Sequence, residues 1–156
     1  MRLLAQAGGK WRYHLLPGEA DILRGLLEKF PFTAPGAAAI SRTEVNLEAR
    51  ERETWLQESM AEHRQQLQQL AVPLLAQDRW RQTATGYQLT LDAEAREILL
   101  QILNDIRVGC WQVLGEPEDL ELPPAPPASP AEVAGRNLMD LAAYFEMALL
   151  EDRATE

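Results

Sequence analysis

Six prolines fall within fifteen residues, EPEDLELPPAPPASP at positions 116–130. A proline has no backbone N–H to donate and a nearly fixed φ, so neither a helix nor an inner strand can run through such a stretch. Positions 116–130 are therefore expected to form an extended surface connector. They divide the chain into a body, residues 1–115, and a terminal segment. A chain of 156 residues has length for one substantial core but not comfortably for two, so 1–156 is expected to be a single domain whose last segment returns to the body across the connector.

Ser129, Pro130 and Glu132 restart the chain as a helix, with serine and glutamate at capping-box spacing and proline at the first helical position. The stretch LMDLAAYFEMALLE that follows is apolar around much of its circumference, which suits a central helix or one shared with a partner chain. In the body, KWRYHLL (10–16) alternates, Trp11, Tyr13 and Leu15 against Arg12 and His14, which is the period of a half-buried strand. Pro17, Gly18 and Glu19 open a helix with Ala20, Leu23, Leu26, Leu27 and Phe30 at helical spacing, ended by Pro31 and Pro35. TAPGAAAI reads as a loop, and Ser41 to Glu44 as the capping box of a long polar helix. Through that helix Leu56, Met60, His63, Leu67, Leu70 and Leu74 form a heptad seam, with Pro73 marking its end. RWRQTATGYQLTL (79–91) reads as a hairpin in which Tyr87, Leu89 and Leu91 alternate inward. Asp92 caps a further helix running to about Gly115, with Leu99, Leu103, Ile106, Cys110 and Leu114 as its apolar stripe. The expected fold class is mainly α (α+β): a four-helix bundle-like domain with a small antiparallel sheet of about three strands.

The formal charge of −9 is unevenly placed: residues 1–91 carry 11 Lys/Arg against 10 Asp/Glu, residues 92–156 only 4 against 14. Such a surface repels phosphate and anionic lipid, so any nucleic-acid contact has to come from a local patch in the first part. No apolar run approaches the roughly 20 residues that span a bilayer, which predicts no membrane association. Cys110 is the only cysteine and MRLLAQAGG lacks the apolar run of a secretory signal, which points to a reducing cytoplasm.

Chemistry-bearing residues are few. On the helix after Asp92, Asn104, Asp105 and Arg107 interrupt an apolar stretch; Asn104 and Arg107 share a face with Trp111. One reading makes them structural, with Asn104 and Asp105 bonded to loop backbone and Arg107 stacked on Trp111 and paired with Glu19 at the start of the first helix. The other makes Asn104, Asp105, Arg107, Trp111 and Glu19 a recognition notch in which Arg107 grips a carboxylate or phosphate. His14 and His63 sit on different elements without metal-ligand spacing, so no metal and no cofactor are expected; His63 on the seam reads as a core-edge histidine. Cys110 is flanked by apolar residues and reads as buried. Arg12, Arg79 and Arg81, near Trp11, Tyr13, Trp80 and Tyr87, have the composition of a nucleic-acid platform or of an ordinary solvated sheet face. No nucleophile or phosphate-loop motif occurs, so no enzyme is expected.

Two stretches, WRYHLLPGEADILRGLLEKF and LTLDAEAREILLQILNDIRVGCWQVLG, together resemble an uncharacterised bacterial family, a domain of unknown function. Its pattern pairs a strand-P-x-E-A-x-x-L-R-x-L opening with a late L-N-D-x-R stretch ending in L-G. Glu19, Ala20, Leu23, Arg24, Leu26, Leu103, Asn104, Asp105, Arg107, Leu114 and Gly115 fall on those positions. Where the family carries a second arginine before its L-G, this chain has Val113. The resemblance implies a small cytoplasmic helical protein with no established activity. The expectation is a non-enzymatic protein-interaction or regulatory module, a homodimer with a further protein partner; the alternative is a nucleic-acid-contacting regulator using Arg12, Arg79 and Arg81.

Overall fold

Eight regular elements and a short 3-10 turn account for most of the computed structural model, which describes residues 1–31, 47–114 and 129–150. In chain order they are β1 (Arg2–Ala7), β2 (Lys10–Leu15), α1 (Pro17–Lys29), α2 (Leu47–Leu74), a 3-10 turn at Gln77–Arg79, β3 (Trp80–Thr83), β4 (Gly86–Asp92), α3 (Ala93–Val113) and α4 (Pro130–Leu150). The fold is mostly helical with one antiparallel sheet. That sheet has four strands in the order β1-β2-β4-β3, one more than the sequence pattern predicts. The additional strand is the N-terminal one. Gly8 and Gly9, with φ of 59° and 72°, make the two-residue turn that folds Arg2–Ala7 back on β2. Both residues of such a turn need positive φ, which glycine adopts without a Cβ penalty. A Gly-Gly pair between two short runs is a hairpin signal, but the weak alternation of RLLAQA hides it.

Register follows the alternation. One cross-strand row joins Leu3, Tyr13, Leu89 and Trp80, and the next pairs Trp11 with Leu91, so the aromatic and aliphatic side chains share the inner face. Tyr13, Leu15, Leu89 and Leu91 are fully buried, with Trp11 and Tyr87 half-buried beside them. Both α1 and α3 lie against β4, so this inner face forms one wall of the core. That two-layer arrangement replaces the four-helix bundle: the sheet occupies a position that a bundle would give to helix.

The helices obey their predicted caps where the described residues include them. Asp92 accepts a hydrogen bond from the amide of Ala95 at 2.8 Å, and Ser129 and Glu132 bond each other's amides reciprocally at 2.6 and 3.1 Å. Glu19 completes half of the same device on α1, accepting from the amide of Leu16 at 2.7 Å. The TAPGAAAI loop, the Ser41 to Glu44 capping box, Gly115 and nearly all of the proline connector lie outside the described residues.

The long helix departs from the heptad seam. Leu67, Ala71 and Leu74 are buried together with Arg64, while Leu56, His63 and Leu70 face outward. The buried line is therefore 64-67-71-74, turned by about one residue from the predicted one, and His63 is not a core-edge histidine. Asp105 on α3 explains the turn. Arg64 donates from Nε to both of its oxygens, at 3.0 and 3.1 Å, so a charged residue takes an inward position that hydrophobic periodicity assigns elsewhere. Pro73 lies inside the last turn of α2, where its missing N–H leaves the carbonyl of Gln69 without its usual donor, and the helix ends one residue later at Leu74.

Helices α3 and α4 run antiparallel. At one end Leu114 lies over Gly135, where an added Cβ would stand 3.4 Å from the leucine side chain, and at the other the buried Arg96 donates to the carbonyl of Leu149. Arg96 also donates to the hydroxyl of Tyr13 at 3.1 Å and lies 4.9 Å from the ring centre of Trp11. One carbonyl at the C-terminal end of α4, the Tyr13 hydroxyl and an aromatic face thus receive its charge. The apolar stripe of α3 is buried from Leu99 to Cys110, and Met139, Ala142, Phe145 and Leu149 of α4 close over it.

Candidate functional site

On α3, Asn104, Arg107, Val108 and Trp111 recur at helical spacing and, with Met139 of α4, line a cavity of about 150 Å³. Three of the predicted recognition residues therefore share one notch. Arg107 does not pair with Glu19, however; its Nη1 donates to Glu146 on α4. The reason is geometric. Glu19 lies at the N-terminal end of α1, where the Met1 ammonium and the Tyr144 hydroxyl both donate to it. Burial raises the pKa of Glu19, but those two donors and the amide of Leu16 outweigh it and hold the carboxyl below its ordinary value. The hydrogen bond that the Tyr144 hydroxyl donates to Glu19 pushes the phenol up to about 12, with burial and the charge of Glu19 adding to it.

Asp105 points away from the notch, to Arg64 of α2, rather than to loop backbone. Asn104 is exposed and makes no hydrogen bond to loop backbone among the described residues. The five residues predicted as a unit are thus divided among three places: Asn104, Arg107 and Trp111 at the notch, Asp105 in the α2–α3 contact, and Glu19 beneath Tyr144. With Glu146 on its guanidinium, Arg107 is a poor grip for an anion.

The arginine face of the sheet is differently made. A row across all four strands joins Arg2, His14, Gln88 and Arg81 on the side opposite the core, the next joins Ala5, Arg12 and Thr90, and a third sets Lys10 against Asp92. Arg2, Lys10, Arg12 and Arg81 are exposed and have no ion pair among the described residues. Arg79 is not one of this group. It donates to Asp92 at 3.2 Å and so is neutralised locally. Asp92 in turn is held below its ordinary pKa first by the amide of Ala95, against which burial works, and then by the charge of Arg79. Trp11, Tyr13, Trp80 and Tyr87 belong to the inner rows, so the outer face presents cations without aromatic rings. Sequence reading finds Arg12 and Arg81 by alternation but misses Arg2 and Lys10, whose contribution depends on the unrecognised β1 and on cross-strand register.

Cys110 is buried, and burial pushes its thiol pKa up, away from nucleophilic character. Among the described residues no group of acidic, histidine and cysteine side chains could hold a metal ion, and no helix is long and apolar enough to cross a membrane. Comparison with protein-family models, curated proteins and solved structures finds nothing that matches this chain.

Proposed function

We propose that this chain is a non-enzymatic, cytoplasmic protein-interaction module whose docking face is the outer side of the sheet and whose partner offers an acidic segment. The observation that carries this reading is the group Arg2, Lys10, Arg12 and Arg81: four exposed cations, without ion pairs among the described residues, on one pleated surface of a chain with a net charge of −9. Unpaired like charges gathered on one side cost self-repulsion and are relieved by an anionic partner. The resemblance to an uncharacterised bacterial family belongs to the same proposal and adds no activity to it.

Nucleic acid is the second reading, and two features weigh against it. Single strands are held by stacking bases on aromatic rings, which here lie on the other face. Duplex binding needs several phosphate contacts, and of Arg12, Arg79 and Arg81 the second is already engaged by Asp92. Self-association also belongs to this proposal, supported by Trp55, 70% exposed on α2, and Met147, 60% exposed on α4. A single monomeric mass in light scattering at every concentration would remove it.

The test is a titration of labelled poly-glutamate and of short single- and double-stranded DNA at low and moderate salt. The proposal expects glutamate binding that weakens with salt and is lost in the Arg2→Ala, Arg12→Ala, Arg81→Ala triple variant. These residues are exposed, so the variant should melt within about 0.5 kcal/mol of the parent. Tighter binding to DNA would transfer the face to the second reading. No binding of any polyanion at low salt would defeat both.

A further inference from the structure

On α1, remote from the outer face of the sheet, the guanidinium of Arg24 lies 4.4 Å from the ring centre of Trp80 and 4.6 Å from that of Tyr87. The Trp80 ring is fixed by its own hydrogen bond, Nε1–H to the carbonyl of Leu74 at 2.8 Å. Two aromatic rings therefore hold the cation in place while its N–H donors, which lie in the guanidinium plane, stay free to bond at the edge. Glu28 is four residues further along the helix, a spacing at which arginine and glutamate ordinarily pair. Here they do not: neither makes a hydrogen bond or ion pair among the described residues. The stacking holds the guanidinium away from Glu28, and the two charges stand apart as separate groups.

Both face one open cavity of about 510 Å³, which Gln77, Gln82, Trp80 and Tyr87 also line. That size lies in the range of small-molecule sites. The wall offers a pre-set fork suited to a carboxylate, a carboxylate of its own about one helical turn away, and two carboxamides. An isolated anion would meet repulsion from Glu28, and an isolated cation repulsion from Arg24. A molecule carrying both charges satisfies both.

We propose that this cavity binds a small zwitterion with the chemistry of a free amino acid or dipeptide, its carboxylate on Arg24 and its ammonium on Glu28. The assignment accounts for a cation that is braced by two rings yet has no counter-charge among the described residues. Trp80 and Tyr87 supply apolar walls for the ligand's carbon skeleton.

The experiment follows the Trp80 indole N–H and the backbone amides by two-dimensional NMR while the full chain is titrated with single amino acids and with dipeptides. These two arms separate the possible sources of the zwitterion. Matched methyl esters lack the carboxylate, and N-acetyl derivatives lack the ammonium. The proposal expects saturable shifts at Trp80, at least tenfold weaker for the ester and for the N-acetyl form, and at least tenfold weaker in Arg24→Lys, which keeps the charge but loses the planar fork. Should Arg24→Lys fail to fold, Glu28→Gln, at an exposed position, and the ligand derivatives still decide the matter. No saturable shift at millimolar concentrations overturns the proposal. So does equal binding of zwitterion, ester and N-acetyl form, or equal binding of acetate alone.

Discussion

Replacing Asp105 by alanine removes the only carboxylate that meets Arg64 among the described residues, in a contact where the two side chains are 8% and 15% exposed. Stripping one partner from a fully buried ion pair costs about 3–5 kcal/mol, because the other charge stays desolvated. Asp105 retains some contact with water, and the arginine stem can swing its head outward, which lowers the expected loss to about 2–3 kcal/mol. At about 2–4 °C per kcal/mol for a chain of this size, Tm should fall by about 4–12 °C, read by circular dichroism alongside urea unfolding at pH 7. The double variant Arg64→Met, Asp105→Leu removes both charges and should recover most of the loss. A single variant within about 0.5 kcal/mol of the parent, or a double variant no better than the single, would refute the argument that this pair turns α2 on the core.

Arg107→Ala is a contrast, since its side chain is 43% exposed where it meets Glu146; the loss should stay under about 1 kcal/mol in the same urea assay. Gly86→Ala should destabilise by more than about 2 kcal/mol and disturb hairpin amide shifts, because Gly86 has φ of 151° and a Cβ there would stand 2.1 Å from the carbonyl oxygen of Leu15. For Asp92 the folded pKa is lowered, so its stabilisation is present above about pH 4 and lost as pH falls through the lowered value. Asp92→Asn should therefore lag the parent at pH 7 and converge with it toward pH 3 in urea melts. Leu103→Ala, at a fully buried site, should cost about 2–5 kcal/mol by calorimetry, whereas Trp55→Ala at the surface of α2 should leave Tm unchanged to within 1–2 °C.

What the sequence makes legible is what its local chemistry controls. The alternation of Trp11, Tyr13 and Leu15 and of Tyr87, Leu89 and Leu91 places two central strands and their inner face, because the side-chain period of a strand admits no other division. The caps at Asp92 and Ser129 are legible for the same reason. Partner choice is another matter. Glu19 and Glu146 are both carboxylates that Arg107 could meet, and only the antiparallel docking of α4 on α3 brings the second within reach. Arg64 is invisible to a hydrophobic pattern, since what buries it is the carboxylate of Asp105, 41 residues away along the chain. Arg24 carries no local sign of its setting either: Trp80 and Tyr87 meet it across the fold.

The strand order β1-β2-β4-β3 sets two local hairpins side by side, and only the β2–β4 ladder joins them. Between Leu15 and Gly86 lie the 70 residues 16–85. Each hairpin can form within microseconds on its own, but joining them closes a loop of that length, an entropic debit on the order of 4 kcal/mol before any ladder bond compensates it. The ladder is thus the latch of the domain. Whatever holds α1 and α2 compact shortens the search for it, and the tight approach of Gly86 to the Leu15 carbonyl lies where the latch engages.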